Sequence, residues 1–327
     1  MKKKKAYDYA KFGYLFSIPF AVAWLLFQLY PIGFTFLIGF TDLKGAGTKD
    51  FNILWDSLFK NFVTVLGTES FKISLFNTVV IWLCNFIPQM CLALLLTAWF
   101  TDRRSTIKAQ GFFKVIFYLP NIITAATVAL MFNQFFAYPK GVINDFLMLD
   151  LKIFSEPQRM LDNPTIARAV VVFIQTWMWY GYTAIVMISG VLGISPELFE
   201  AAEVDGANQW QTFFRITLPC IKTMLLFTLV TSLIGGLNMF DIPFMFLNGK
   251  PNNATLTTNL FIYNQAFAGS YMYNKAAAAS VIMFIIIAIL SAILFFLLRD
   301  KDEVELRKIV KAQEKAYKRK MKMEKGR

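Results

Sequence analysis

Residues 276–298 run for 23 positions without a charged side chain. At 1.5 Å per residue, a helix of that length covers about 35 Å, more than the ~30 Å hydrocarbon core of a bilayer. A helix satisfies its backbone N–H and C=O groups internally, which is what lipid demands of a spanning segment. Five more long apolar runs occupy residues 12–40, 73–100, 113–136, 166–193 and 223–247. Such runs cannot all be hidden from water in one globular core. The chain therefore reads as an all-α polytopic membrane protein with six transmembrane helices. Its composition agrees: 57% of residues are hydrophobic, 35 are Phe, and 17% are charged, against a usual charged share of about 25%.

The first run follows a basic start (Lys2, Lys3, Lys4, Lys5 and Lys11). It is far longer than the 7–15-residue core of a signal peptide, and no small-residue cleavage site follows. It is expected to be a spanning helix bent near Pro19 or Pro31. The second run carries Asn77, Asn85, Pro88 and Gln89, so one of its faces is expected to look into the protein rather than at lipid. Gly235 and Gly236 are expected to interrupt the fifth. Trp55 and Phe59, in the loop at 41–70, are expected anchors at the membrane boundary.

Six spans put both termini on one side. The segments on that side (1–13, 100–112, 194–220 and 299–327) hold 21 Lys and Arg, and the opposite loops (41–70, 137–165 and 248–275) hold eight. The positive-inside rule then places both termini and the 194–220 loop in the cytoplasm. The expected organisation is a cytoplasmic segment 1–13, a six-helix domain 14–298 and a basic cytoplasmic tail 299–327. The tail mixes Lys, Arg and Glu and reads as a solvated helix near anionic lipid.

The net charge of +12 is concentrated at the two ends, which is not a nucleic-acid-binding pattern. The chain has no His, which excludes His triads, His metal sites and His proton relays. Cys84 and Cys91 are seven apart and share a helical face; with Cys220 they read as packed free thiols rather than as a disulfide or metal site. No phosphate-binding loop is present, because Gly249-Lys250 runs into Pro251 and lacks the upstream glycine.

The longest structured stretch between two runs is residues 195–219. Ser195 is suited to an N-cap, and Pro196 to the first helical position. Leu198, Ala201, Ala202 and Asp205 are expected on one side, beside an acidic stripe of Glu197, Glu200 and Glu203. Gly206 is expected to stop this helix in a left-handed conformation. Asn208 and Gln211 form a capping box for a second helix, faced by Trp210, Phe213 and Phe214 and ended or kinked by Pro219.

Glu200, Ala201, Ala202, Gly206, Ile216, Leu218 and Pro219 fall at seven fixed positions over twenty residues. This pattern resembles the EAA loop in the membrane subunits of ABC importers. In that family the loop forms a coupling helix that sits in a groove of a cytoplasmic ATPase and passes its closure to the spans. The resemblance implies that Glu200, Ala201, Ala202, Glu203, Gly206, Ile216, Leu218 and Pro219 serve this coupling. A bare amphipathic helix lying on the membrane would favour Lys and Arg over an acidic stripe. The resemblance implies a type I importer permease fold, and a multi-pass protein of a bacterial or archaeal cytoplasmic membrane. It also implies a second permease subunit (as a heterodimer), two ATPase subunits that hold the ATP and Mg, and an external solute-binding protein.

Asn77-Thr78, the stretch 238–241, the loop through Pro251, Asn252 and Asn253, and Tyr273 leading into Ala276–Ser280 are similar to carbohydrate-importer permeases of the maltose and multiple-sugar type. Those usually have glycines before the loop proline and a Gly after the Tyr. Here Asn248-Gly249-Lys250 and Asn274 depart from that pattern. Sugars call for planar hydrogen-bonding groups and aromatic faces. Gln175, Trp177, Trp179, Tyr180 and Asn238 supply them, and Asp241 is an ionisable group at or near membrane depth. Aromatic belts, helix–helix hydrogen bonds and, for Asp241, an exposed helix end are the competing roles. A permease for a polyamine or a phosphate ester, and a secondary transporter, remain the alternative readings.

Overall fold

The computed structural model describes residues 10–45, 47–48, 50–102, 107–298, 309–315 and 317. The four N-terminal lysines Lys2 to Lys5, Arg103 and Arg104, and most of the tail 299–327 lie outside the described residues. Among the described residues every regular element is a helix, apart from one isolated bridge between Thr41 and Ile53. In chain order the main elements are α1 (Phe12–Ile38), α2 (Lys60–Gly67), α3 (Glu69–Thr101), α4 (Gln110–Ile122), α5 (Ala125–Phe135) and α6 (Pro164–Leu192). They continue as α7 (Pro196–Val204), α8 (Gln209–Thr212), α9 (Lys222–Leu237), α10 (Asp241–Phe246), α11 (Thr258–Phe267) and α12 (Tyr273–Leu298). Helix α1, α3, α6, α12 and the segment Lys222–Phe246 are each long and apolar enough to cross a bilayer.

The pair α4 and α5, bent by 87° at their junction, is together long and apolar enough to make a sixth span. One continuous helix over 113–136 was expected; the chain breaks it. Pro120 withholds the N–H that its turn would use. Ile123 and Thr124 are extended (ψ 138° at both), and the Thr124 hydroxyl accepts from the Thr127 N–H to restart the helix.

The prolines of α1 behave unequally. The helix runs through Pro19, while a π-helical turn at Leu25–Leu29 precedes Pro31. The same device recurs before Pro219, where a π turn spans Phe213–Thr217. A wide turn just ahead of a proline moves the carbonyl that its ring would otherwise strike. Pro219 therefore does not end its helix; the chain stays helical through Leu218–Cys220 and then enters α9. Gly235 and Gly236 likewise lie inside α9, and the break comes after it, at residues 238–240.

The described chain forms two compact units. In the first, drawn from Met1–Asn77 and Leu256–Ile286, the small side chains Ala276 to Ala279 are buried. An added Cβ on Gly39 would sit 3.5 Å from the Ala278 nitrogen, so small residues let these segments approach. Asn61 Nδ2 donates to the carbonyls of Gly39 and Thr41, and Asn274 Nδ2 donates to Asn61 Oδ1. Asn274 is thus a buried tether. Asn77 is fully buried and donates to the Leu256 carbonyl.

The second unit, drawn from Thr78–Thr255 and Ile287–Arg327, holds the larger core, with Ile81, Val128, Val171, Ile174 and Met187 almost wholly enclosed. Two glycines set its closest approaches. A Cβ on Gly181 of α6 would lie 1.7 Å from the Phe117 carbonyl oxygen of α4. A Cβ on Gly236 of α9 would lie 2.1 Å from the Trp82 ring of α3, whose Nε1–H donates to Ser232. Asn133 Nδ2 of α5 donates to the Phe246 carbonyl at the end of α10 (2.7 Å). Cys84, Cys91 and Cys220 are free and exposed rather than packed.

Candidate functional site

Two features of the second unit hold the residues expected to be functional. The first is the turn from α7 to α8. Pro196 is the first residue of α7, as expected, but the Ser195 side chain makes no capping hydrogen bond. The C-terminal end is better secured. The Ala207 N–H donates to the Ala202 carbonyl and the Gly206 N–H to Glu203, with Gly206 at φ +73°. This is the Schellman pattern, and it requires the left-handed residue that glycine supplies at little cost. Asn208 and Gln211 then form the full reciprocal capping box of α8.

Ala202 is buried and Phe199 half-buried, while Leu198, Ala201 and Asp205 are exposed beside Glu197, Glu200 and Glu203. Phe199 packs on a buried cluster of Met187, Val191 and Ile221. Met187 and Val191 belong to the end of α6, and Ile221 immediately precedes α9. The short helix is therefore rooted in two spans at once. Val204 at its tip is 88% exposed. Of the other candidates, Ile216 and Leu218 are half-buried and Pro219 is exposed. The small size of Ala202 is explained by packing within this chain, whereas Ala201 and Glu200 face outward.

The second feature is a cavity of about 420 Å³ walled by α3, the start of α5, α6, α9, residues 238–240 and α10. Of the six expected pathway residues, Gln175, Trp179, Asn238 and Asp241 line it. Trp177 and Tyr180 do not. Trp177 packs on Phe132 of α5 (ring centroids 5.9 Å) and Tyr180 on Phe117 of α4 (6.2 Å). Helical spacing separates the two groups: 175, 179 and 182 face the cavity, and 177 and 180 face the bent pair. Asp241 is exposed at the start of α10 and is the one charged residue on the described wall.

Sequence reasoning missed Thr228, Thr231, Ser232 and Tyr182 as wall residues. The small and hydroxyl residues of α9 recur at 228, 231, 232, 235 and 236, a helical period that marks this face. Gln89 also lines the cavity and donates to the Thr183 hydroxyl (2.7 Å), which joins α3 to α6. The wall thus combines amides, hydroxyls and aromatic faces. Such a wall offers hydrogen-bonding groups and ring faces; among the described residues no cluster is suited to hold a metal ion.

A multi-pass helical chain with a cavity among its spans, and a short helix rooted in two of them, has the build of a membrane transport subunit. Residues 64–301 match the family described as the binding-protein-dependent transport system inner membrane component. The lactose transport system permease protein LacF of Rhizobium radiobacter is 30% identical over 305 residues, which cover 91% of this chain and 97% of that one. The arabinooligosaccharides transport system permease protein AraP of Bacillus subtilis is 28% identical over 86% of each chain. A solved bacterial ABC transporter involved in import of the acidic polysaccharide alginate superposes with a TM-score of 0.74 at 23% identity, covering 89% of this chain and 97% of that one. The chain belongs to the binding-protein-dependent transport system inner membrane component family, and its fold is that of a type I ABC importer permease.

Proposed function

We propose that this chain is one of two permease subunits of an ATP-driven importer that carries a neutral sugar or oligosaccharide across the cytoplasmic membrane of a bacterium or archaeon. The observation that carries this reading is the cavity wall. It offers amides and hydroxyls beside Trp179 and Tyr182, with Asp241 as its one charge. A phosphate ester calls for cationic donors, and a polyamine for several carboxylates; the described wall has neither. Relatives named for lactose and arabinooligosaccharide transport support the same substrate class.

The chain lacks a phosphate-binding loop, so ATP and Mg belong to two partner ATPase subunits. The exposed face of α7, with Glu200 and Ala201 outward and Gly206 fixing its exit, is the contact through which ATPase closure reaches α6 and α9. Glu203, Ile216, Leu218 and Pro219 support that contact. Both termini and this turn are cytoplasmic, with 14–298 as the permease domain and 299–327 as the cytoplasmic tail.

The test is reconstitution of this chain with its partner permease, ATPase subunits and binding protein in proteoliposomes. ATP-dependent accumulation of a sugar from a panel of disaccharides and short oligosaccharides is expected. Accumulation of putrescine or glycerol phosphate instead, with no sugar carried, overturns the substrate class. The chain purified alone is expected to hydrolyse no ATP.

A further inference from the structure

Gly206 divides residues 195–222 into two arms of unlike chemistry. Glu197, Glu200, Glu203 and Asp205 all precede it. From Ala207 to Leu237 the chain carries two charged residues, Arg215 and Lys222, and both are cations. The second arm is helical from Gln209 through Cys220, by way of α8 and the π turn. Phe213 and Thr217 are buried on one side of it. Trp210 and Phe214 lie outward, 54% and 57% exposed, and their rings stack with centroids 6.0 Å apart. Arg215, Cys220 and Lys222 are exposed as well, and Lys222 is the first residue of α9. Neither cation is in an ion pair among the described residues.

Large outward aromatic rings beside cations are the make-up of a helix that lies at a membrane boundary. The second arm stands at such a boundary. Lys222–Phe246 is long and apolar enough to cross a bilayer, so Lys222 marks where that stretch begins. Exposed apolar surface continues into α9 at Met224 and Phe227. We infer that the outward side of residues 210–222 docks on anionic phospholipid, with the rings of Trp210 and Phe214 among the headgroups and Arg215 and Lys222 on lipid phosphates. Burial of both cations against a protein would require a carboxylate for each. An anionic leaflet supplies phosphates and an apolar boundary together. The Arg and Lys stems carry their charges to the phosphate level while their methylenes stay in apolar surroundings. The guanidinium of Arg215 can take two phosphate oxygens at once. The site is separate from the cavity and from the acidic face of α7, and it requires only that α9 spans the bilayer. It also gives the turn a second support. Phe199 roots α7 in the ends of α6 and α9, and the arm beyond Gly206 rests on headgroups.

Cys220 lies between the two cations and supplies a native reporter. In a background without Cys84 and Cys91, it is labelled with a small fluorophore in the complete assembled transporter. The transporter is then placed in phosphatidylcholine vesicles that contain brominated phosphatidylglycerol or brominated phosphatidylcholine as the quencher. Half-maximal quenching is expected at about fivefold less brominated phosphatidylglycerol, the enrichment that one basic side chain near an anionic surface supports. High salt is expected to narrow the ratio. Arg215→Gln combined with Lys222→Gln is expected to bring it to one, and Arg215→Lys combined with Lys222→Arg to keep it. Equal quenching by the two lipids overturns the inference. So does the absence of quenching by either, which marks this side as covered by an ATPase or a second permease subunit. These two outcomes are read with the native arm and do not depend on how the double variants fold. A preference that survives Arg215→Gln with Lys222→Gln also overturns it, because the two cations then do not hold the lipid.

Discussion

A hydrogen atom in place of a methyl group sets how near α4 lies to α6. The position a Gly181 Cβ would take is 1.7 Å from a backbone oxygen of Phe117, which has no side-chain freedom with which to yield. Gly181→Ala is therefore expected to force the two helices apart, at a cost of about 1–3 kcal/mol or more. Thermal unfolding of the detergent-purified subunit checks this, and an unchanged midpoint counts against it. Gly206 is a different kind of glycine. Nothing lies within 4 Å of its missing Cβ, and its φ of +73° is the whole constraint. A side chain there costs about 1–2 kcal/mol of backbone strain, more when β-branched. Gly206→Val is expected to leave the protein in the membrane while uptake is lost, because the angle of α7 changes and the core does not. Uptake at the wild-type rate in this variant removes Gly206 from the coupling device. Gly206 was legible in the sequence because its requirement is local, set by the helix it ends. Gly181 and Gly236 were not, since each answers to an atom on another helix. Asn274 shows the same limit: its departure from the family pattern was visible, but its partner Asn61 was not.

Elements divide the same way between what local pattern specifies and what packing decides. Long apolar runs announce spans, and the spans appear near their expected bounds. The 87° break between α4 and α5 was hidden because hydropathy is blind to direction and Thr124 looked like one more polar residue in a span. For α7, periodicity names the residues that share a side, not the side that is buried. Phe199 finding the Met187, Val191 and Ile221 cluster settled it. The π turn before Pro219 gives a further prediction. Pro219→Ala restores an N–H and removes the ring, so the wide turn at Phe213–Thr217 is free to tighten to α-helical register. One residue of register rotates what precedes it by about 100°. That displaces α7 relative to α9, and transport is expected to drop severalfold while membrane insertion is retained. Unimpaired transport by this variant means the π turn is incidental to coupling. Glu200→Lys tests the outward face directly. Reversal of an exposed charge is expected to abolish uptake and ATPase docking without altering the subunit's own melting, with partial rescue by an opposite charge change in the ATPase groove. Normal docking by this variant removes Glu200 from the contact.

At the scale of the whole molecule, the coupling reading depends on which side of the membrane α7 occupies. The Lys and Arg distribution, 21 against eight, predicts that the 194–220 loop and both termini lie in the cytoplasm. Most of the cations behind that count lie in the two ends of the chain, where the driving force for orientation is strongest near the first span. The acidic residues of α7 weigh little in the rule, so they do not oppose it. Val204 is 88% exposed at the tip of α7, and Asn252 is exposed in the loop at the opposite ends of the spans. Single cysteines at these two positions, in a background without Cys84, Cys91 and Cys220, report the two sides. A membrane-impermeant maleimide added to intact cells is expected to label Asn252→Cys at once, and Val204→Cys only after permeabilisation. Both variants are expected to be transport-competent if the substitutions leave the Schellman turn and the outer loop intact, which validates the labelling. The opposite pattern would set α7 outside the cell, where no ATP-hydrolysing partner meets it. Its acidic face and its roots in α6 and α9 would then belong to docking of the external binding protein.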